Sequence, residues 1–231
     1  MDNLTLTRYG IESAITIPES GFFTLSIENK RFLFEIITEI KAQLEGKDGG
    51  FHLLLNDKEL SFEKNATAIF DFSTIDLNSR SIGKLLIQKF AQFLGCPEQT
   101  GAITELERMI FDLAEEFRAS FNLDIEYDSA MSAENIAKLC SLEIADHKCD
   151  LLEKLCAYVN LLCELKPLKL FILVFGKAFL ESEELDSLSR FCHDKEVRLL
   201  LIESDGKSPR HVNECGLVVD KDLCVIAEEN L

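Results

Sequence analysis

The sequence predicts an α/β protein: a parallel-sheet head domain assembled from both ends of the chain, with an α-helical leg inserted in its middle. Three observations predict it. Residues 1–78 alternate strand and helix patterns, and residues 166–231 do so again. The second stretch carries continuous apolar runs, KLFILVFG and VRLLLIES, which suit a parallel sheet covered on both faces. Between them, residues 79–165 read as helices almost throughout.

In chain order, LTLTRYG and SAITIP read as an opening hairpin, followed by the strand GFFTLSIE. In NKRFLFEIITEIKAQLEG, Phe32, Ile36, Ile37, Ile40 and Leu44 recur at helical spacing and Gly46 supplies a stop. FHLLLN and TAIFDF are buried-strand patterns. After FDFSTIDLNSRS come the helical patterns SIGKLLIQKFAQFL, TELERMIFDLAEEFRASF, SAENIAKLCSL and CDLLEKLCAYVNLLCEL, interrupted mainly by GCPEQTG and LDIEYD. The strand KLFILVFG, the helix ESEELDSLSRFCHDKE and the strands VRLLLIES, CGLVV and LCVIAEE complete the alternation.

A chain of 231 residues with 47% hydrophobic content can bury a sizeable core. No apolar run reaches membrane-spanning length, and MDNLTLTRYG lacks the basic-then-apolar pattern of a signal peptide, so the expected location is the cytosol. The eight cysteines include no C-x-x-C pair and read as reduced, buried residues. Cys149, Cys156 and Cys163 fall seven apart, on one apolar helix face with Leu152, Leu155, Val159 and Leu162. The net charge of −17 argues, on charge alone, against nucleic-acid binding, which draws its affinity from Lys and Arg neutralising phosphates. The helical block does not escape this, with 8 basic and 15 acidic residues.

Sites for familiar chemistry are largely missing. A phosphate loop needs glycines that let consecutive N–H groups converge, yet none follows the strand in TLSIENKRFLFEII, where Lys30 and Arg31 read as a solvated helix start. Gly206, Lys207 and Ser208 in SDGKSPR lack an upstream glycine and precede Pro209, which makes a surface turn the better reading. His52, His147, His193 and His211 show no i, i+4 metal pairing. ADHKC and CHD each place a His beside a Cys and an Asp without naming a third partner. No G-x-S-x-G and no paired glycosidase carboxylates support hydrolysis.

LDIEYD is the most informative polar cluster. In an extended segment Asp124, Glu126 and Asp128 share one face, with no basic residue nearby in sequence. A hard cation such as Ca²⁺ would relieve their repulsion, and loop carbonyls could join the shell, although the spacing is not that of an EF-hand. A solvated acidic edge that discourages strand pairing is the competing reading.

The succession FDFSTIDLNSRSIGKLLIQ, a long acidic helix, LDIEYD, SAENIAKLCSL, a further helix, KLFILVFGKAFLESEELDSLSRF and VRLLLIES resembles the small accessory proteins of spacer acquisition in type II-A CRISPR systems, over about residues 66–204. The resemblance implies a degenerate P-loop-type head and an inserted helical leg. It further implies no catalysis, a ring-shaped homotetramer, calcium bound in the leg, linear double-stranded DNA held in the central hole, and cooperation with the CRISPR integrase proteins and the effector nuclease. On the matching positions it makes Asp124, Glu126 and Asp128 the calcium ligands, and Lys138, Arg80 and Lys84 the DNA contacts, each of which would otherwise read as part of a solvated helix face. The segment RASFN places Ser120 and Asn122 where the family is more acidic; Asn122 offers a neutral oxygen, and Glu115 and Glu116 are possible replacements. Around a ring a few lysines per chain would sum their field while the acidic surface faces outward, so the net charge does not exclude DNA. Two other classes remain: a nucleotide-dependent kinase or ATPase using the head, and an acidic adaptor that binds only proteins.

Overall fold

The computed structural model describes residues 3–123, 125–126, 132–145, 150–205 and 211–228. The chain divides into two compact units, one made of residues 1–75 with 148–231 and the other of residues 76–147.

The first unit opens with the antiparallel hairpin of β1 (Leu4–Arg8) and β2 (Ile15–Ile17), in which Leu4 faces Ile17. Next comes β3 (Phe22–Ile27), buried along its whole length, and then α1 (Lys30–Leu44). Asn29 caps α1, its side-chain oxygen accepting from the N–H groups of Arg31 and Phe32. The predicted stop is observed: Gly46 takes φ +80°, Gly46 N–H donates to Gln43 O and Lys47 N–H to Ala42 O, which closes the helix as a Schellman motif. β4 (Phe51–Leu55) and β5 (Lys58–Leu60) form a second hairpin. Its two-residue loop, Asn56–Asp57, has positive φ at both positions, as a tight hairpin with the sheet's natural twist requires. A short helix α2 (Phe62–Asn65) and the strand β6 (Ala66–Ile69) follow.

The second unit carries α3 (Arg80–Leu94), α4 (Thr100–Ala119) and α5 (Ala133–Leu139). The first unit then resumes with α6 (Leu151–Leu165), β7 (Leu170–Val174), α7 (Ser182–Asp194), β8 (Arg198–Glu203), β9 (Glu214–Val219) and β10 (Val225–Glu228).

Two sheets result. The larger has the order β10-β9-β3-β8-β7-β6, parallel except for β10, with the wholly buried β7 and β8 near its centre, in line with their unbroken apolar sequences. The smaller is antiparallel, β2-β1-β4-β5. FHLLLN, read as another buried strand, therefore pairs with the opening hairpin instead of entering the parallel sheet. One continuous core joins α1 to both sheets and includes Leu4, Leu6, Leu25, Ile36, Ile40, Leu170 and Leu200. Arg8 reinforces that junction: its Nε binds Glu39 of α1 at 2.7 Å, and its guanidinium lies over the rings of Phe32 and Phe51.

The helical unit ends earlier than the sequence boundary at residue 165. α6 packs on α7 and buries Leu155, Val159 and Leu162, so it belongs with the α/β unit. Its Cys156 and Cys163 are free and half-buried, and burial raises both thiols, whereas Cys96, Cys140 and Cys224 are exposed, so the expectation of buried cysteines fails at those three. Burial, and to a smaller extent the thiols of Cys156 and Cys163, pushes the buried Cys192 of α7 up further still. Cys149 lies outside the described residues.

Candidate nucleic-acid interface and metal loop

α3 starts after Ser79 and carries Arg80, Lys84 and Lys89, all exposed, with no carboxylate anywhere along it. Four residues apart, Arg80 and Lys84 project from one face. The opposite side of the helix includes the buried Ile82 and packs on α5, where Ile136 and Ala137 are also buried. Asn78 fixes the start of α3 to the segment after α5. Its Nδ2 donates to Ile144 O at 2.9 Å and its Oδ1 accepts from Ile144 N–H at 2.7 Å. A two-pronged amide clamp across 66 residues gives the basic helix a defined neighbour.

Lys138, on α5, is also exposed, but its Nζ sits 3.0 Å from Glu134 one turn earlier. That pair neutralises much of its charge within its own helix, in contrast to Arg80 and Lys84.

Of the three acids in LDIEYD, Glu126 is described and exposed, whereas Asp124 and Asp128 lie outside the described residues. Among the described residues no group of three or more His, Cys, Asp or Glu side chains could hold a metal. Two of the nearby candidates have other partners: Glu115 is paired with Arg118 at 3.0 Å, and the Ser120 hydroxyl donates to Phe117 O at 2.6 Å. Glu116 and Asn122 are exposed. Carboxylates offer only oxygen, which suits a hard cation over a soft one.

Among the described residues of the head, two places where an anion could be cradled are filled by the chain's own side chains. At the N-terminus of α1 the first free N–H groups are taken by Asn29. After β7, Phe175 adopts a left-handed conformation (φ 59°) and turns the following N–H groups into a concave nest. Lys177 N–H donates to Glu203 Oε1 there at 2.9 Å, and Gly176 N–H also reaches that carboxylate. Gly176 has little room for a side chain, since an added Cβ would lie 3.1 Å from Leu173 Cβ. Burial raises the Glu203 pKa, partly offset by these N–H groups and the Lys177 ammonium. Lys177 Nζ itself pairs with the buried Glu214 at 2.5 Å. This self-filled nest escaped the sequence reading, although a Gly-Lys pair directly after a buried strand was a signal for it.

The histidine motifs dissolve in the same way. His193 Nδ1 donates to Glu19 O at 2.9 Å while its neighbour Cys192 is buried. His211 pairs with Asp186 at 3.2 Å, and His52 with Glu59 at 2.7 Å. Asp146, His147 and Cys149 of ADHKC, and Gly206, Lys207, Ser208 and Pro209 of SDGKSPR, lie outside the described residues.

What these features define is an α/β protein with an inserted helical unit, in which α3 carries three exposed cations and no acid, and in which Asn29 and Glu203 fill two anion cradles of the head from within. The sequence matches the family of CRISPR-associated proteins (Cas_Csn2) over residues 43–223. The chain belongs to that family, and its role accordingly lies in CRISPR defence. Among solved structures, it is similar to the crystal structure of Stu0660 of Streptococcus thermophilus. The TM-score is 0.60 at 12% identity, covering 99% of this chain and 76% of that one, and the likeness supports the fold. No curated protein matches the sequence. No helix among the described residues is long and apolar enough to cross a membrane.

Proposed function

We propose that the protein is a non-catalytic accessory factor of CRISPR spacer acquisition in the cytosol. It forms a calcium-stabilised homotetrameric ring that holds linear double-stranded DNA in its central hole and works beside the CRISPR integrase proteins and the effector nuclease. The observation that carries the reading is α3: a helix with Arg80 and Lys84 exposed on one face and no acid along its length, in a chain of net charge −17 that belongs to a CRISPR-associated family. Cations so placed contact phosphates without reading bases. The filled nest at Glu203 supports a non-catalytic head, because a phosphate there would have to displace an internal carboxylate. Asp124, Glu126 and Asp128 hold the calcium ion in this reading.

The test combines native mass spectrometry, with and without a chelator, and binding to linear and closed circular duplex. The expected result is a tetramer that needs calcium and loads on linear DNA far better than on circles. An Asp124→Asn/Glu126→Gln/Asp128→Asn variant is expected to lose bound metal, tetramer and duplex affinity together. Retention of all three would overturn the calcium assignment, and equal binding to circles would overturn threading.

A further inference from the structure

α3 keeps a glycine, Gly83, at an interior helical position. After proline, glycine is the residue a helix interior tolerates least, because its unfolded backbone has the most freedom to lose and it leaves the backbone open to water. The ordinary reasons for such a glycine do not apply here. Gly83 is not one of the glycines with positive φ, so the backbone asks for no special conformation. It does not end the helix, since Gly95 is the C-cap. Nor does crowding exclude a side chain: a Cβ built at Gly83 would meet no other group within 4 Å among the described residues. An alanine would fit and would strengthen the helix.

The neighbours of Gly83 along the helix set it apart. At about 100° per residue it lies about 60° around the helix from Arg80 and nearly one turn further on. Lys84 follows it directly, and both cations are exposed on a helix without a carboxylate. The missing side chain therefore leaves a recess bordered by two positive charges. A protein surface matches it poorly, because the cores of protein interfaces are depleted of charged residues. A polyanionic strand matches it well. Resting on the reading that α3 contacts DNA phosphates, we infer that Gly83 seats the strand: its bare backbone admits one sugar–phosphate unit of the duplex between Arg80 and Lys84. Charges attract more strongly as they approach and as water leaves the space between them. The close approach raises the return from both cations and offsets what the glycine costs the helix. Such a contact carries no base preference.

Gly83→Ala and Gly83→Leu in the full chain, with calcium present, test this, because both replacements are strong helix formers. Both variants are expected to melt at or above the parent's temperature by circular dichroism and to keep its mass by native mass spectrometry. Affinity for linear duplex is nonetheless expected to fall, about threefold for alanine and about tenfold for leucine, and in Gly83→Leu the slope of log affinity against log salt by about 0.9, the share of one phosphate. If both variants bind as the parent does, the seat is wrong while Arg80 and Lys84 stand as DNA contacts. A loss of affinity that comes with a lower melting temperature or a smaller mass also overturns it, since Gly83 would then serve the fold or the assembly. Should the leucine variant misfold, alanine alone decides. A parent that binds no duplex, or whose affinity survives Arg80→Ala with Lys84→Ala, overturns the α3 reading itself and the seat with it.

Discussion

All five residues of β7 and all six of β8 are buried in the α/β unit, whereas α4, with seven large apolar side chains, buries none of its twenty residues. Burying one such side chain contributes about 1.5–3 kcal/mol, so the first unit carries its stabilisation within a single chain. The helical unit leaves that contribution unspent unless another surface covers it. The difference teaches where to look for each property: stability in the sheet that α1 and α6 flank in sequence, and the proposed ligand contacts on the exposed helices. The largest expected effect follows directly. Phe171→Ala, which empties a fully buried site in β7, is expected to cost about 3–5 kcal/mol in denaturant unfolding. Leu113→Ala on α4 is expected to change the stability of the dilute, dissociated protein by about 0.5 kcal/mol or less, because its side chain is already in water. Similar costs at the two positions would mean that α4 has a core of its own, and the contrast would fall.

How much of this was legible in the sequence depends on which interactions decide each feature. β7, β8 and α1 were readable because their signals are local: unbroken apolar runs for the strands, and for the helix a five-residue stripe closed by Gly46. The antiparallel sheet was not readable. FHLLLN has a strand's composition whether its partner is β1 or β3, and the choice is made by long-range pairing, Leu6 with Leu53. Nor does periodicity say which unit owns a helix; α6 reads the same until Leu155 and Val159 meet the head. Arg80 and Lys84 could be named from the sequence. Glu203 could not be paired with Gly176 and Lys177, because the nest depends on the left-handed turn at Phe175.

A half-buried cation sharpens the comparison, because a unit with a core can depress a lysine. In the α/β unit, burial brings Lys166 from 10.5 down to about 8, against a smaller opposing pull from Glu63. Its Nζ donates to Ala66 O at 2.6 Å and to Glu63 O at 3.3 Å, fastening the entry of β7 to β6. Between pH 8 and 10.5 the unfolded chain still holds a proton that the folded chain has released, so this group makes stability rise with pH across that window. Below about 8 both states are protonated, and the contribution is constant. The rise amounts to about 3 kcal/mol at most. Lys166→Met should flatten it when unfolding curves of parent and variant are compared from neutral to alkaline pH. An unchanged slope would place Lys166 in water and weaken the claim that the core extends to this end of the sheet.

The smallest effects fall on the exposed helices, where stability and ligand binding separate most cleanly. Lys138 and Glu134 form a one-turn surface pair, and such pairs contribute about 0–1 kcal/mol. Lys138→Ala should therefore leave the unfolding midpoint almost where it was, as should Arg80→Ala with Lys84→Ala. Duplex binding distinguishes them. Each phosphate neutralised adds about 0.9 to the slope of log affinity against log salt. Removing Arg80 and Lys84 should thus lower that slope by close to two, uniformly across DNA sequences. For Lys138 the competing carboxylate matters: the lysine must leave Glu134 to reach a phosphate, and the exchange returns less than a free cation would give. A fall of well under one is the expected result for Lys138→Ala, and Glu134→Gln should raise the affinity by freeing the lysine. If Lys138→Ala instead cost a full unit while the α3 pair cost nothing, the DNA face would belong to α5 and not to α3.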